Sequence, residues 1–164
     1  MSNDSFLQGL NELYQGEVLG EAIFNSMLCM FDESEPRYKI AVLFQLETET
    51  KARLRPTLIQ LGLDITELKD SRDTGLSVAA SLEGKTWKEA MLALRELVKP
   101  AVERYKEIAE SAPQEFKALA ESMAVHEGAL YDFLQAELAG NSGEALAKII
   151  AQLQHPITSK TNHG

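Results

Sequence analysis

The sequence predicts an all-α fold of four long helices with a short fifth helix at the C-terminus, and three observations lead there. Apolar residues recur at helical spacing along four stretches of roughly 25 residues each. Gly, Pro and capping signals fall mainly between those stretches. Nowhere does the chain alternate apolar and polar residues as a half-buried strand would, and no internal repeat or low-complexity run interrupts the pattern. With 164 residues and an apolar share of 45%, the chain suits one domain with one sizeable core, expected over residues 1–155.

The elements follow in order. Residues 5–32 place Leu10, Tyr14, Phe24, Leu28 and Phe31 on one side of a first helix. FDESEPR breaks it, with Ser34 as the expected N-cap and Pro36 tolerated in a first turn; a second helix then runs from Tyr38 to about Leu61, where Gly62 stops it. Residues 63–85 are turn-rich and read as a connector holding at most one short helix, around Leu76 to Leu82. Thr86 and Glu89 form a capping box for a third helix reaching about Ser111, which Pro100 is expected to kink or break. Pro113 opens a fourth helix ending near Gly140, and Asn141 with Glu144 caps a fifth that His155-Pro156 terminates. Residues 156–164 are expected to be a flexible tail. Helices of about 25 residues are roughly 35 to 40 Å long. Their short links make two antiparallel hairpins, and a connector of about 20 residues can cross the full length, which predicts an up-down-crossover bundle.

Charge and composition exclude several classes. Sixteen Lys and Arg against twenty-five Asp and Glu give a net charge of -9, unsuited to nucleic acid or an anionic membrane surface. The N-terminus MSNDSFLQGL lacks the features of a secretory signal and no stretch has the apolar length of a membrane span, so a cytoplasmic protein is expected. The single cysteine, Cys29, lies among Met27, Leu28, Met30 and Phe31 and is expected to be a buried thiol. No phosphate-binding loop is present, since Gly16 and Gly20 fall inside a helix where they permit close helix approach, and no Ser or Cys comes with a placed base. Trp87 is expected to pack over the connector. Ile23, Val42, Leu46 and Phe133 lie outside the main seams, which predicts an apolar face for a homodimer or a protein partner.

Carboxylates interrupt the core seams. Glu47 sits in Ile40, Leu43, Glu47, Thr50, Leu54; Glu127 sits in Met123, Glu127, Leu130, Leu134; Glu17 and Glu21 share the seam of Leu10, Tyr14, Phe24 and Leu28. Counting back from the turn near Asp32 brings Glu17 and Glu47 to one level. The third helix offers no acid on its seam, because Glu96 and Glu103 share the solvated face of Lys99 and Lys106. Burying an unpaired carboxylate costs several kcal/mol, so such a group needs cations, protons or donors, for which Tyr14, Thr50, Tyr105, Tyr131, Arg53 and Arg104 are at hand.

On these residues the chain resembles rubrerythrin and related ferritin-like proteins: "LYQGEVLGEAIF" is similar to their first bundle helix, "LETETKARLRPTLIQLG" to their second and "AVHEGALYDFLQAELAG" to their last. The resemblance covers roughly residues 7–62 and 103–140. It implies metal ligands at Glu17, with Glu21 one turn away as the alternative, at Glu47 and at Glu127. Thr50 and Leu130 stand where the family's two histidines belong, so the resemblance also implies a damaged two-iron site. His126, adjacent to Glu127, is expected to point about 100° away from the inward slot. The expectation is a ferritin-like bundle with a degraded site and no cofactor, acting as a structural or interaction protein. The alternative is a metal-binding protein or oxidoreductase using Fe or Mn.

Overall fold

The computed structural model describes residues 3–159, and among these the fold is all-helical. Six helices follow one another: α1 (Asn3–Met27), α2 (Ser34–Gln60), α3 (Lys69–Leu82), α4 (Trp87–Ser111), α5 (Lys117–Leu138) and α6 (Gly143–Ile150), with a 3-10 turn at Gln114–Phe116 leading into α5.

Cross-helix contacts give the directions. Between α1 and α2, Tyr14 meets Arg55, Gly20 lies beside Glu47 and Glu21 meets Thr48, so rising numbers on one face falling numbers on the other. The same holds between α2 and α5, where Lys39 meets Glu137, Thr50 meets His126 and Arg53 meets Met123. α4 runs against α5, with Arg95 at Gln135 and Lys117 at the Ala109 carbonyl. It also runs against α1, with Gly9 at Ile108 and the cavity-lining Phe24 level with Leu94. Thus α1 and α5 point one way, and α2 and α4 the other. The connector climbs parallel to α1, from Tyr14 at Ile65 to Leu19 and Ala22 at Gly75.

Several local expectations are corrected. Within the connector, α3 is 14 residues long and starts at Lys69 rather than near Leu76. Its buried residues, Gly75, Ala79 and Leu82, are mostly small, and a seam of small side chains gives little apolar signal. Ser34 is the first residue of α2, not its cap, and the Glu33 position before it makes no side-chain cap bond. α4 runs through Pro100 unbroken, because the carbonyl that loses its donor, on Glu96, lies on an exposed face where water can serve it. The Thr86 and Glu89 capping box forms as expected. α6 starts after Ser142 and ends at Ile150, short of His155-Pro156. Cys29 is exposed in the turn after α1, because α1 stops at Met27 and turns that residue outward. Trp87 packs edge-on against Phe31 and donates to Glu137 Oε1 at 2.7 Å, which places it on the α1–α2 link instead of the connector.

The residues assigned to a partner face are also corrected: Ile23, Val42, Leu46 and Phe133 are all in the core. α6 and the segment after it pack against α2 and α5, bringing Ile149 and Leu153 into the same cluster, while α3 covers α1. Residues 156–159 are tied in part, the Ile157 carbonyl accepting from Tyr38 Oη at 3.1 Å; the rest of the expected tail, with His163, lies outside the described residues. No described helix is long and apolar enough to cross a membrane.

The core is divided into two. One cluster holds Phe24, Met27, Ile40, Leu43, Leu94, Leu130 and Leu134; the other holds Leu10, Tyr14, Leu54, Leu58, Ile108 and Met123. On α2 the buried residues between the two clusters are Glu47, Thr50 and Lys51, and on α5 they are His126 and Glu127.

Candidate metal centre

The dividing layer is made by Glu17 of α1, Glu47 and Thr50 of α2, Tyr105 of α4, and His126 and Glu127 of α5. All six are buried, with Glu17 and His126 at 0% exposure. His126 Nε2 is 3.1 Å from Glu17 Oε2, 3.8 Å from Glu47 Oε1 and 3.8 Å from Glu127 Oε2. Tyr105 Oη donates to Glu17 Oε1 at 2.9 Å. On the far side of the imidazole, Thr50 Oγ1 lies 3.3 Å from His126 Nδ1. Three atoms aimed at the same point, Glu17 Oε2, Glu47 Oε1 and His126 Nε2, have no hydrogen-bond partner, and Glu17, Glu47 and His126 each offer an atom within 4.8 Å of the others.

Glu17, Glu47 and Glu127 therefore meet at one depth, as the sequence predicts. Glu21 does not join them: it accepts from Thr48 Oγ1 at 2.7 Å and pairs with the buried Lys51, which also reaches Glu67 of the connector at 2.6 Å. Glu96 and Glu103 stay at the surface beside Arg95 and Lys106. Of the expected donors, Tyr105 and Thr50 serve the layer. Tyr14 instead donates to the Ile65 carbonyl, and Arg104 pairs with Glu12 on the surface.

His126 is the residue that the sequence pattern misplaces. α5 is regular through this region, with no bulge. The inward direction falls between His126 and Glu127, each roughly 50° to one side, and two long side chains converge from there. The overlooked signal is Phe133, seven residues on from His126 and wholly buried: the apolar stripe of α5 is wide enough to include both. Tyr105 reaches the layer from further along α4 than Val98, because helical side chains lean toward the N-terminus of their helix.

Two glycines make room. A Cβ on Gly20 would stand 2.5 Å from Glu47 Oε2, and one on Gly16 would stand 2.7 Å from Tyr105 Oη. Their role is to admit these two side chains beside α1 rather than to bring helices together.

The protonation pattern follows from burial and charge. Burial alone raises Glu17, but the His126 charge and hydrogen bonds with His126, Glu47 and Tyr105 outweigh it and hold this carboxyl below its ordinary value. Glu47 is pushed well up, first by burial and then by the neighbouring Glu17, Glu127 and Glu21 charges. Burial also takes Glu127 up to about 7 against the opposing pull of His126. For His126, burial lowers the value, and the Glu17 and Glu127 charges more than reverse it. Tyr105 is raised well above the ordinary phenol, by burial and then by Glu17. Without metal these shifts favour a charged Glu17–His126 pair and the neutral form of Glu47, and Glu127 titrates near neutrality.

The donor set can be tested against a metal. Ligands about 2.1 Å from an ion stand about 3 Å apart at right angles and more at wider angles, a span that suits the 3.1 and 3.8 Å separations here. Two carboxylates and an imidazole from three helices fit one borderline or hard divalent ion such as Fe(II) or Mn(II). A second ion would find only Glu127 outside that set, since Leu130 is apolar and α4 contributes a phenol instead of an acid.

Compared with protein-family models, curated proteins and solved structures, the chain matches none.

Proposed function

We propose that this protein is a ferritin-like bundle that binds a single divalent transition-metal ion, Fe(II) or Mn(II), through Glu17, Glu47 and His126. The observation that carries the proposal is the convergence of three buried, partnerless atoms, Glu17 Oε2, Glu47 Oε1 and His126 Nε2, from three different helices. The Glu17–His126 pairing offsets part of the cost of burying these groups, and a bound cation would satisfy all three atoms at once. The helix directions, with two antiparallel pairs joined by a lengthwise crossover, favour the ferritin-like reading.

A bound ferrous or manganous ion supplies one-electron chemistry. The chain's own groups have separable tasks. Tyr105 occupies Glu17 Oε1 and leaves Oε2 free; Thr50 holds the His126 ring so that Nε2 faces the acids; Glu127, outside the donor set, can take up or release a proton near pH 7.

Anaerobic reconstitution with Fe(II) or Mn(II), followed by metal analysis, tests the reading. About one equivalent per chain is expected, with near none in Glu17→Gln/Glu47→Gln; less than about a tenth of an equivalent, or close to two, overturns it. A second reading, an inert core layer serving a structural protein, is favoured by the Glu17–His126 pairing, which gives Glu17 a counter-charge without metal. Under that reading Glu47→Gln raises thermal stability and added Mn(II) changes nothing.

A further inference from the structure

Between α1 and α4 lies a cavity of about 190 Å3 whose floor is Glu47 and Glu127. Its walls are apolar, chiefly Ile23, Phe24, Leu94 and Val98, and its outer edge at Leu97 is 40% exposed. Glu127 is 7% exposed and accepts no hydrogen bond among the described residues, although its carboxylate faces this space. An apolar cavity of about 150 Å3 is enough to take benzene, so the body that fits here is a small ring or a chain of about six to eight carbons. No Lys, Arg or His lines the cavity, which disfavours a carboxylate or phosphate head. A buried acid that accepts no hydrogen bond, with its one cationic neighbour, His126, 3.8 Å away, keeps acceptor oxygens free at the base of an apolar slot and calls for a cationic head.

We propose that this cleft binds a small primary amine, its apolar body between α1 and α4 and its ammonium against Glu127. The site does not depend on the metal reading, because Glu127 lies outside the Glu17, Glu47 and His126 set. An ammonium donates up to three hydrogen bonds, and the Glu127 carboxylate supplies acceptors at the base of the slot.

Calorimetric titration of the chelator-treated full chain at pH 8 tests the proposal, with n-hexylamine, 1-hexanol and hexanoate as probes. Hexylamine is expected to bind at least about tenfold tighter than hexanol, and hexanoate not at all. Glu127→Gln is expected to erase the preference for the amine while hexanol binding persists. Ala101→Phe, which fills the slot from its rim, is expected to abolish binding of both, with circular-dichroism melts confirming that each variant is folded. Hexanoate binding as tightly as hexylamine, no hexylamine binding, or amine affinity unchanged in both variants overturns it. Metal stoichiometry measured without amine reports on the metal reading separately, so either can fail alone.

Discussion

At the scale of single residues, the imidazole is what completes the proposed donor set with Glu17 and Glu47, and its orientation rests on one hydroxyl. Thr50 Oγ1 lies 3.3 Å from His126 Nδ1, on the side of the ring away from the acids. Removing that contact leaves shape and volume nearly intact. Thr50→Val is therefore expected to keep the helical signal and to weaken Mn(II) binding by about 10- to 100-fold, the usual effect of losing a group that orients a ligand. Competition against a metal indicator dye measures it, and an unchanged affinity would remove Thr50 from the site. The carboxylates were legible in the sequence because an acid in a run of Leu and Met interrupts a clear period. His126 was not, because it sits beside the strict seam and only the full width of the buried stripe, out to Phe133, includes it.

At the scale of elements, the two glycine contacts on α1 have opposite consequences. A Cβ at Gly75 on α3 would press on the Leu19 carbonyl oxygen and come within 2.8 Å of Ala22 Cβ, groups fixed by the α1 backbone. Gly75→Ala is expected to cost about 1–3 kcal/mol and lower Tm by roughly 3–10 °C despite the better helix propensity of alanine. At Gly20 the obstacle is the Glu47 carboxylate, the far end of a side chain that can swing away. Gly20→Ala is expected to leave Tm within a few degrees and yet lose metal binding, because the displaced group is the ligand. Thermal melts and metal analysis on the two variants separate these effects; a Gly20→Ala protein that still loads with Mn(II) would show that Glu47 is dispensable. The long helices were legible from large apolar residues in period. Of α3 only the later part, around Leu76 to Leu82, was legible, since the helix docks largely through Gly75 and Ala79, and close packing of small residues leaves little apolar stripe to read. The hidden burial of Ile23 and Phe133 has the same origin: α3 and α6 cover faces that look free when each helix is read by itself.

At the scale of the whole molecule, two apolar half-cores meet across a charged layer, and stability must follow the protonation of that layer. Glu127 titrates at about 7 in the folded chain against an ordinary 4.5, so the native state holds the extra proton between those values and stability falls as pH rises through that window. The full effect is about 3 kcal/mol, an order-of-magnitude figure for a buried group. Glu47, also raised, acts in the same direction. His126, raised as well, contributes stability that is present below its ordinary 6.5 and is lost as pH climbs through its folded value. Glu17 is lowered, so its contribution is present above 4.5 and fails only in stronger acid; the same is true of Glu49 and Glu67, held low by hydrogen bonds and ion pairs near the surface. Between pH 5.5 and 8 every resolved change in the layer therefore has one sign, and the metal-free protein is expected to become less stable across that range. A bound cation reverses this, because it needs the acids deprotonated and the imidazole neutral and so competes with protons. Urea melts at pH 5.5 and 8, with chelator and with excess Mn(II), check both statements: the two curves should diverge as pH rises, with the loaded protein ahead at pH 8. Glu127→Gln should flatten the metal-free profile. Parallel curves would mean that manganese does not bind at the acids, and a metal-free protein that gains stability toward pH 8 would mean that the layer is not protonated as its burial requires.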